Sequence, residues 1–580
     1  MYRMAQRLQI FSNVIQRLKQ VKNNGLGYLY GIMHDNTITI LTFSINIDDD
    51  SEPGINHTTL QLCMPAEVYL CGILHVGQVE NKLSDTFQDI DVTDNPLLLK
   101  YSLDDSSIKS YFYIHQKLEP GSDIQIINEN DVSSKFLYIR LKGRLPLIAQ
   151  NDNLVEVLEE SRKDIASGKL GVHFPENNTY LLDGDDSSDM LIKDLLGLSS
   201  NYEGSVNAHM PGFVDAVQAN IILKISSDKA SEEHDKYAPV IQYVKRTFNS
   251  LEGSVNIDAL SLVHVDTVLS KLQGIFVESI CRNIKLIEKS MEDQVEEIAD
   301  SVTLPVPMHF KLHNCGHLLT LVLQTTGNDN ETIKYRECLH KALGLDLTRP
   351  YFRHGNAIKF SSDIKKQNLL INPHETIVHT QELVKTSKVG LVQGLYAYHH
   401  YMQDNFNDDG WGCAYRSLQT IISWYRLQGY SNIATPSHRI IQKCLVDIGD
   451  KPASFIGSKQ WIGSTEVGFV LQSLLNVNVK VLCASTGADM VTLASNLLEH
   501  FETDGTPVMI GGGVLAHTIL GISYNEETED VKFLILDPHY TGSEHLPTII
   551  SKGWCGWKSK EFWKKDAFYN MCLPERPLCI

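Results

Sequence analysis

Apolar positions in the first 150 residues recur in short runs that suit strands. From Leu26 to Ser44, "LGYLYGIMHDNTITILTFS" holds two such runs meeting at the polar pair Asp35-Asn36, which predicts two strands and a tight turn. "EVYLCGILHVG" (Glu67 to Gly77) predicts a further strand, and acidic spacers such as "NIDDDSEPG" (Asn46 to Gly54) read as loops. Ahead of them, "MYRMAQRLQIFSNVIQRLKQVKNNG" is amphipathic and basic but lacks the apolar core and cleavage site of a signal peptide, so it reads as the first structural element. We place an α/β domain over residues 1–147. Residues 148–363 form a poorly defined middle region, in which "GSVNIDALSLVHVD" predicts a short strand and the chain after it a long helix with a solvated acidic face. The polar stretch 364–388 reads as a linker to a last domain, 389–580. There Ala414, Leu418, Ile421, Ile422 and Tyr425 recur at three- and four-residue intervals, Gly429 is placed to end the helix, and "GGGVLAHTILGI" and "VKFLILDPHY" carry strand-like runs. The class is α+β.

Composition narrows the function. At 580 residues the chain is too long for one core and suits about two to four domains. Its 43% hydrophobic and 21% charged residues are those of a soluble globular protein. With 70 acidic against 51 basic residues the net charge is −19, and no basic cluster offsets it, so a phosphate backbone is repelled and nucleic acid is excluded as a partner. No apolar run approaches the length of about 18 residues that spans a bilayer, so the expected setting is the cytosol or a membrane surface reached through a partner. The 11 cysteines are odd in number and form no Cys-x-x-Cys pair, which points to reduced thiols rather than disulfides or a zinc site. The acidic run Asp183 to Asp189 lacks the glycine and glutamate of a calcium-binding EF-hand and reads as a solvated loop. "HNCGH" (His313 to His317) has ligand types without a partner cluster and reads as structural. No cofactor or metal is expected.

The densest chemistry surrounds "DDGWGCAYRS" (Asp408 to Ser417). Cys413 falls at a helix N-terminus, where unpaired N–H groups and the helix dipole favour the thiolate. Gly410 and Gly412 allow a tight turn and the approach of another chain. A thiolate nucleophile needs a base and an orienting group. Two arrangements offer them. Asp537-Pro538-His539 closes an apolar strand, and residues two apart on an extended chain point the same way. His517 lies on the preceding strand, giving the papain order of cysteine, histidine, then polar orienter. The residues alone leave both open.

"GLYAYHHYMQDNFNDDGWGCAYRSLQT", "GGGVLAHTILG" and "LDPHY" resemble the ubiquitin-fold modifier 1 specific proteases, over roughly residues 389–580, and the long N-terminal region points to their type 2 members. The resemblance implies a papain-like cysteine protease domain with Cys413 as nucleophile, His539 as base, Asp537 as its orienter and Tyr401, 12 residues before the cysteine, as an oxyanion donor. His517 then becomes a supporting residue at the substrate-binding site, and Trp411 and Trp461 are expected as walls of a narrow groove for a modifier tail ending in glycine. The implied substrates are ubiquitin-fold modifier 1, its precursor and its lysine conjugates. The first domain resembles the MPN metallopeptidase fold, with His75 in "GILHVG" but Gly77 where a second histidine would complete a metal site. For the N-terminal regions the resemblance implies recruitment to the endoplasmic reticulum by a membrane-anchored MPN-like adaptor. Two alternatives remain: an autophagy-type protease for another ubiquitin-like modifier, which shares Gly-Trp-Gly-Cys and Asp-Pro-His, and a non-catalytic scaffold.

Overall fold

The structure is a computed structural model that describes residues 7–47, 56–78, 96–114, 117–121, 123–150, 153–182, 189–197, 214–223, 250–296, 304–312, 315–324, 333–363 and 369–580. Residues 183–188 of the expected acidic loop, most of the spacer after Asn46, and His313 lie outside these residues. The described residues gather into two compact units, one within 1–209 and 215–347, the other within 210–214 and 348–580.

In the first unit, Gly25–His34 and Thr37–Ile47 pair antiparallel about Asp35 and Asn36, which both take left-handed backbone (φ 45° and 60°), as a two-residue hairpin turn requires. They sit in an eight-stranded sheet with the predicted strand Tyr69–Val76 on one side and Arg7–Phe11, from the N-terminal segment, on the other. His75 is buried in that sheet, and burial and Lys100 lower its pKa. Of the stretch His313 to His317, His317 is likewise buried, its Nδ1 2.8 Å from the Leu318 carbonyl oxygen.

A second sheet of five strands follows, and it is where sequence and structure part. Phe136–Gln150 runs straight through residue 147, pairing with Ser250–His264 over 15 residues. The boundary drawn at 147 falls inside this strand because the apolar alternation does not break there. The strand foreseen as short is long: Asn256 is exposed on the face away from the helix-covered core, and Asp258 on that same face is held by Arg140 Nε at 2.8 Å and His309 Nε2 at 2.9 Å. The 28-residue helix Leu269–Glu296 covers the sheet with Leu272, Phe276, Ile280, Ile284 and Ile287 buried at helical spacing.

The second unit is built on a sheet in the order Val479–Ala484, Tyr569–Pro574, Val508–Gly512, Leu515–Asn525, Asp530–Leu536, Cys555–Ser559, with Lys388–Leu391 pairing Gly521–Tyr524. Leu515–Asn525 is buried along most of its length because helices cover both faces of the sheet, so it carries a continuous apolar run rather than an alternating one. On one face lies the helix Cys413–Leu427, which buries Ala414, Leu418, Ile421, Ile422 and Tyr425, the stripe legible in the sequence. Part of the expected linker also belongs to this unit. Leu370 and Ile377 enter the same core, and Trp557 donates from Nε1 to Thr380 Oγ1 at 3.1 Å. The polar residues of that stretch are not all outward, since Asn372 and His374 are buried, and residues 364–368 lie outside the described residues.

Candidate active site

Cys413 is the first residue of its helix. The turn before it is set by Gly410, in the left-handed region at φ 80°, and by Gly412, where an added Cβ would stand 2.5 Å from Asp408 Oδ2. A partner segment arrives from the end of Asp530–Leu536, where Asp537 and His539 turn off the sheet. Asp537 Oδ1 receives the His539 backbone N–H at 3.0 Å and stands 2.6 Å from Nδ1 of the ring. One oxygen thus fixes both the backbone and the imidazole of the same residue. A third segment is stitched to the second, since Tyr401 N–H donates to Pro538 O at 2.9 Å and Tyr398 Oη donates to Asp537 O. Tyr401 stacks edge-on to His539 with centroids 5.3 Å apart.

The electrostatics follow from this meeting. Burial opposes a Cys413 thiolate, but the His539 side chain, the Tyr401 hydroxyl and the Ala516 backbone N–H together hold its pKa below the ordinary thiol range. Burial likewise opposes a charged His539, yet Asp537 and Cys413 raise it to about 9. Asp537 stays ionised: burial would raise its pKa, and the bonds from His539 outweigh that. Tyr401 is raised by burial and by the neighbouring thiolate, so it remains a hydroxyl able to donate. These shifts favour a thiolate–imidazolium pair beside a protonated phenol.

His517 stands beside the Asp537–His539 pair. It is buried on Leu515–Asn525, with its Nε2 3.9 Å from Asp537 Oδ2 and its ring 5.2 Å from both His539 and Phe562. Burial pushes its pKa down to about 4, against the pull of Asp537, so it is neutral. It packs behind the Asp537–His539 pair, a position that offers a substrate little surface. Trp411, expected as a groove wall, is only 7% exposed and packs edge-on against Tyr415 and His438, supporting the turn from beneath. Trp461 is 57% exposed, and its neighbour Gln460 accepts a 2.9 Å bond from Tyr415 Oη on the cysteine-bearing helix. His517, Asp537 and His539 place ligand atoms within 4.8 Å of one another, a spacing a divalent cation tolerates, but the 2.6 Å His539–Asp537 bond accounts for the cluster without one.

The sequence reading passed over a set of buried polar groups around the turn. Asp408 is fully buried, with Arg416 Nε at 2.6 Å and His438 Nε2 at 3.0 Å from Oδ2, and Oδ1 accepting Met402 N–H at 2.9 Å. His400 and Gln403 both reach Glu544, at 3.0 and 2.6 Å. The available signal was the density of Asp, His, Gln and Arg within an otherwise apolar neighbourhood.

A sheet, a cysteine opening a helix laid against it, and an Asp–His pair at a strand end define a papain-like cysteine protease. Family models agree: "Peptidase family C78" matches residues 387–572, "Insect UFM1-specific protease N-terminal MPN-like domain" residues 4–132, and "Ubiquitin-fold modifier 1 specific protease 2, N-terminal" residues 213–365. The chain is 36% identical to "Probable Ufm1-specific protease 2" of Drosophila pseudoobscura pseudoobscura over 99% of its own length and 100% of that protein. It is 44% identical to "Ufm1-specific protease 2" of Mus musculus over 62% of its length and 76% of the mouse protein. The crystal structure of UfSP from C. elegans superposes with a TM-score of 0.74 at 28% identity, covering 99% of this chain and 100% of that one. The chain belongs to the Ufm1-specific protease 2 family, a family of cysteine proteases. Likeness along the whole chain disfavours both an autophagy-type protease and a scaffold.

Proposed function

We propose that this chain is a thiol isopeptidase and peptidase that cleaves after the C-terminal glycine of ubiquitin-fold modifier 1, freeing it from lysine conjugates and from its precursor. The observation that carries the reading is the convergence of Cys413, Tyr401 and the Asp537–His539 pair from three separate segments. In this mechanism the Cys413 thiolate attacks the glycine carbonyl carbon. The Tyr401 hydroxyl and the Cys413 backbone N–H stabilise the oxyanion. His539, protonated and oriented by Asp537, gives its proton to the departing amine, which leaves as the C–N bond breaks. Water, deprotonated by the now neutral His539, attacks the thioester and regenerates the thiol and a free glycine carboxylate. A protonated His539 is ready as the general acid from the first step, which suits a poor amine leaving group.

A conjugate of ubiquitin-fold modifier 1 on a lysine peptide tests this directly. Cleavage is expected to release modifier ending in an intact glycine carboxylate by mass, with no product from Cys413→Ser. Cleavage at another bond, or full activity in Cys413→Ser, would overturn it.

We infer further that the MPN-like unit engages a membrane-anchored MPN-like adaptor, which would bring the enzyme to the cytoplasmic surface of the endoplasmic reticulum. Support comes from the family resemblance and from the MPN-like match over 4–132. Adaptor-dependent flotation of the chain with reticulum vesicles is the expected result. Equal flotation with and without adaptor would count against it.

A further inference from the structure

The buried carboxylate of Asp408 has no part in the chemistry just described, yet it touches both halves of the site. Oδ1 accepts the backbone N–H of Met402, the residue after Tyr401, at 2.9 Å. Oδ2 accepts Arg416 Nε, one turn into the cysteine-bearing helix, at 2.6 Å, and His438 Nε2 stands 3.0 Å away. The Asp408 carbonyl oxygen accepts the N–H groups of Trp411 and Gly412 at 3.2 and 2.9 Å. Gly412 lies so close to the carboxylate that no side chain fits between them. Arg416 in turn donates from Nη2 to Gln403 O at 3.1 Å. A single side chain therefore joins the segment that carries the Tyr401 hydroxyl to the turn that carries the Cys413 N–H. Those are the two groups that must point at one oxyanion.

The backbone on the tyrosine side does not hold this shape unaided. Met402, Asp404 and Asn405 all sit in the left-handed region, at φ 64°, 59° and 55°. Non-glycine residues adopt that conformation at a cost, and a run of this kind persists where its surroundings fix it. The bonds from Met402 N–H to Asp408 and from Arg416 to Gln403 O are such a constraint. A charged hydrogen bond between buried groups such as Asp408 and Arg416 is strong and leaves the geometry little freedom.

We propose that Asp408 is a positioning residue for the oxyanion hole, holding the Tyr401 hydroxyl and the Cys413 backbone N–H at the spacing that the tetrahedral intermediate requires. The inference rests on the reading of Tyr401 as oxyanion donor. It separates two functions of the site. The Asp537–His539 pair gives the thiolate its largest support, and Asp408 sets where the negative charge of the intermediate is received.

The test is a double-mutant cycle on hydrolysis of a fluorogenic ubiquitin-fold modifier 1 conjugate, using the full chain as wild type, Tyr401→Phe, Asp408→Asn and both together. Asparagine keeps the shape and one acceptor but turns an amide toward Arg416. Asp408→Asn is expected to lower kcat on the order of tenfold to a hundredfold with KM within about twofold. Added to Tyr401→Phe, it should cost no more than about twofold further, because the donor it positions is already gone. Alkylation of Cys413 by iodoacetamide, which needs the thiolate but no oxyanion hole, should stay within about threefold of wild type in Asp408→Asn. His438→Gln, which removes one partner of the carboxylate and spares Arg416, should show a smaller kcat loss that likewise vanishes in the Tyr401→Phe background, and it serves if Asp408→Asn does not fold. Multiplicative losses in the double variants, or alkylation falling in step with kcat, would mean that Asp408 merely supports the fold. A harmless Tyr401→Phe would sink the oxyanion reading itself and the inference with it, and the single variant alone would reveal that.

Discussion

At the scale of single residues, the ionisation of two side chains is the property most open to measurement. The pKa of Cys413 is lowered and that of His539 is raised to about 9, so the ion pair forms as pH rises past the cysteine and is lost as pH passes about 9, where His539 gives up its proton. A bell-shaped kcat/KM profile with its alkaline limb near 9 is expected, its limbs belonging to the pair rather than to either residue. Iodoacetamide alkylation followed against pH reports the acid side. In wild type it should begin below the ordinary thiol range, and in His539→Ala it should move up toward about 8.5. Identical onsets in the two proteins would remove His539 from the activation of the thiol. Cys413, Asp537 and His539 stood out in the sequence as candidates because each lies in a compact local motif, and the structure puts the cysteine at a helix start and bonds Asp537 to His539. The choice between His539 and His517 was not legible there, because it depends on which ring the turn after residue 536 brings to the cysteine. Asp408 escaped notice for a similar reason: its partners lie six, eight and thirty residues away along the chain, and only the fold assembles them.

Among elements, the cysteine-bearing helix shows how a local signal and a tertiary one combine. Its apolar stripe and the glycine after its end made its type and C-terminal limit legible in the sequence, and the structure bounds it at Cys413–Leu427 with Gly429 at φ 82° beyond. Its start depends on a close approach that no periodicity reveals. Gly412→Ala would drive a methyl group into the Asp408 carboxylate. The cost is expected to be about 1–3 kcal/mol in stability, with a further loss of kcat on the order of a hundredfold as the turn shifts. Chemical denaturation and steady-state kinetics measure the two, and unchanged kcat would show that the turn tolerates the displacement. The five-stranded sheet was the least legible part of the fold. Its long paired strands carry polar residues on the face away from the core, so they mimic short strands set in loops, and one of them crosses what composition suggests is a domain boundary.

For the whole molecule, each compact unit has its own buried core, built around Leu418, Ile421 and Leu520 in one and around Phe276, Ile280 and Val255 in the other. Units of this kind unfold separately. Calorimetry is expected to resolve two transitions. Leu418→Ala should lower only the one belonging to 348–580 and Phe276→Ala only the other, each by about 2–5 kcal/mol. A single transition shifted by both variants would mean that the chain unfolds as one body. Activity on the modifier is the claim that unites the molecule, and the most direct test is covalent capture. Ubiquitin-fold modifier 1 bearing a C-terminal thiol-reactive warhead should label the full chain, and ubiquitin bearing the same group should not. Labelling should vanish in Cys413→Ser, fall sharply in His539→Ala and persist in His517→Ala. Loss in His517→Ala with full labelling of His539→Ala would contradict the assignment of the base, and labelling by ubiquitin alone would contradict the proposed function.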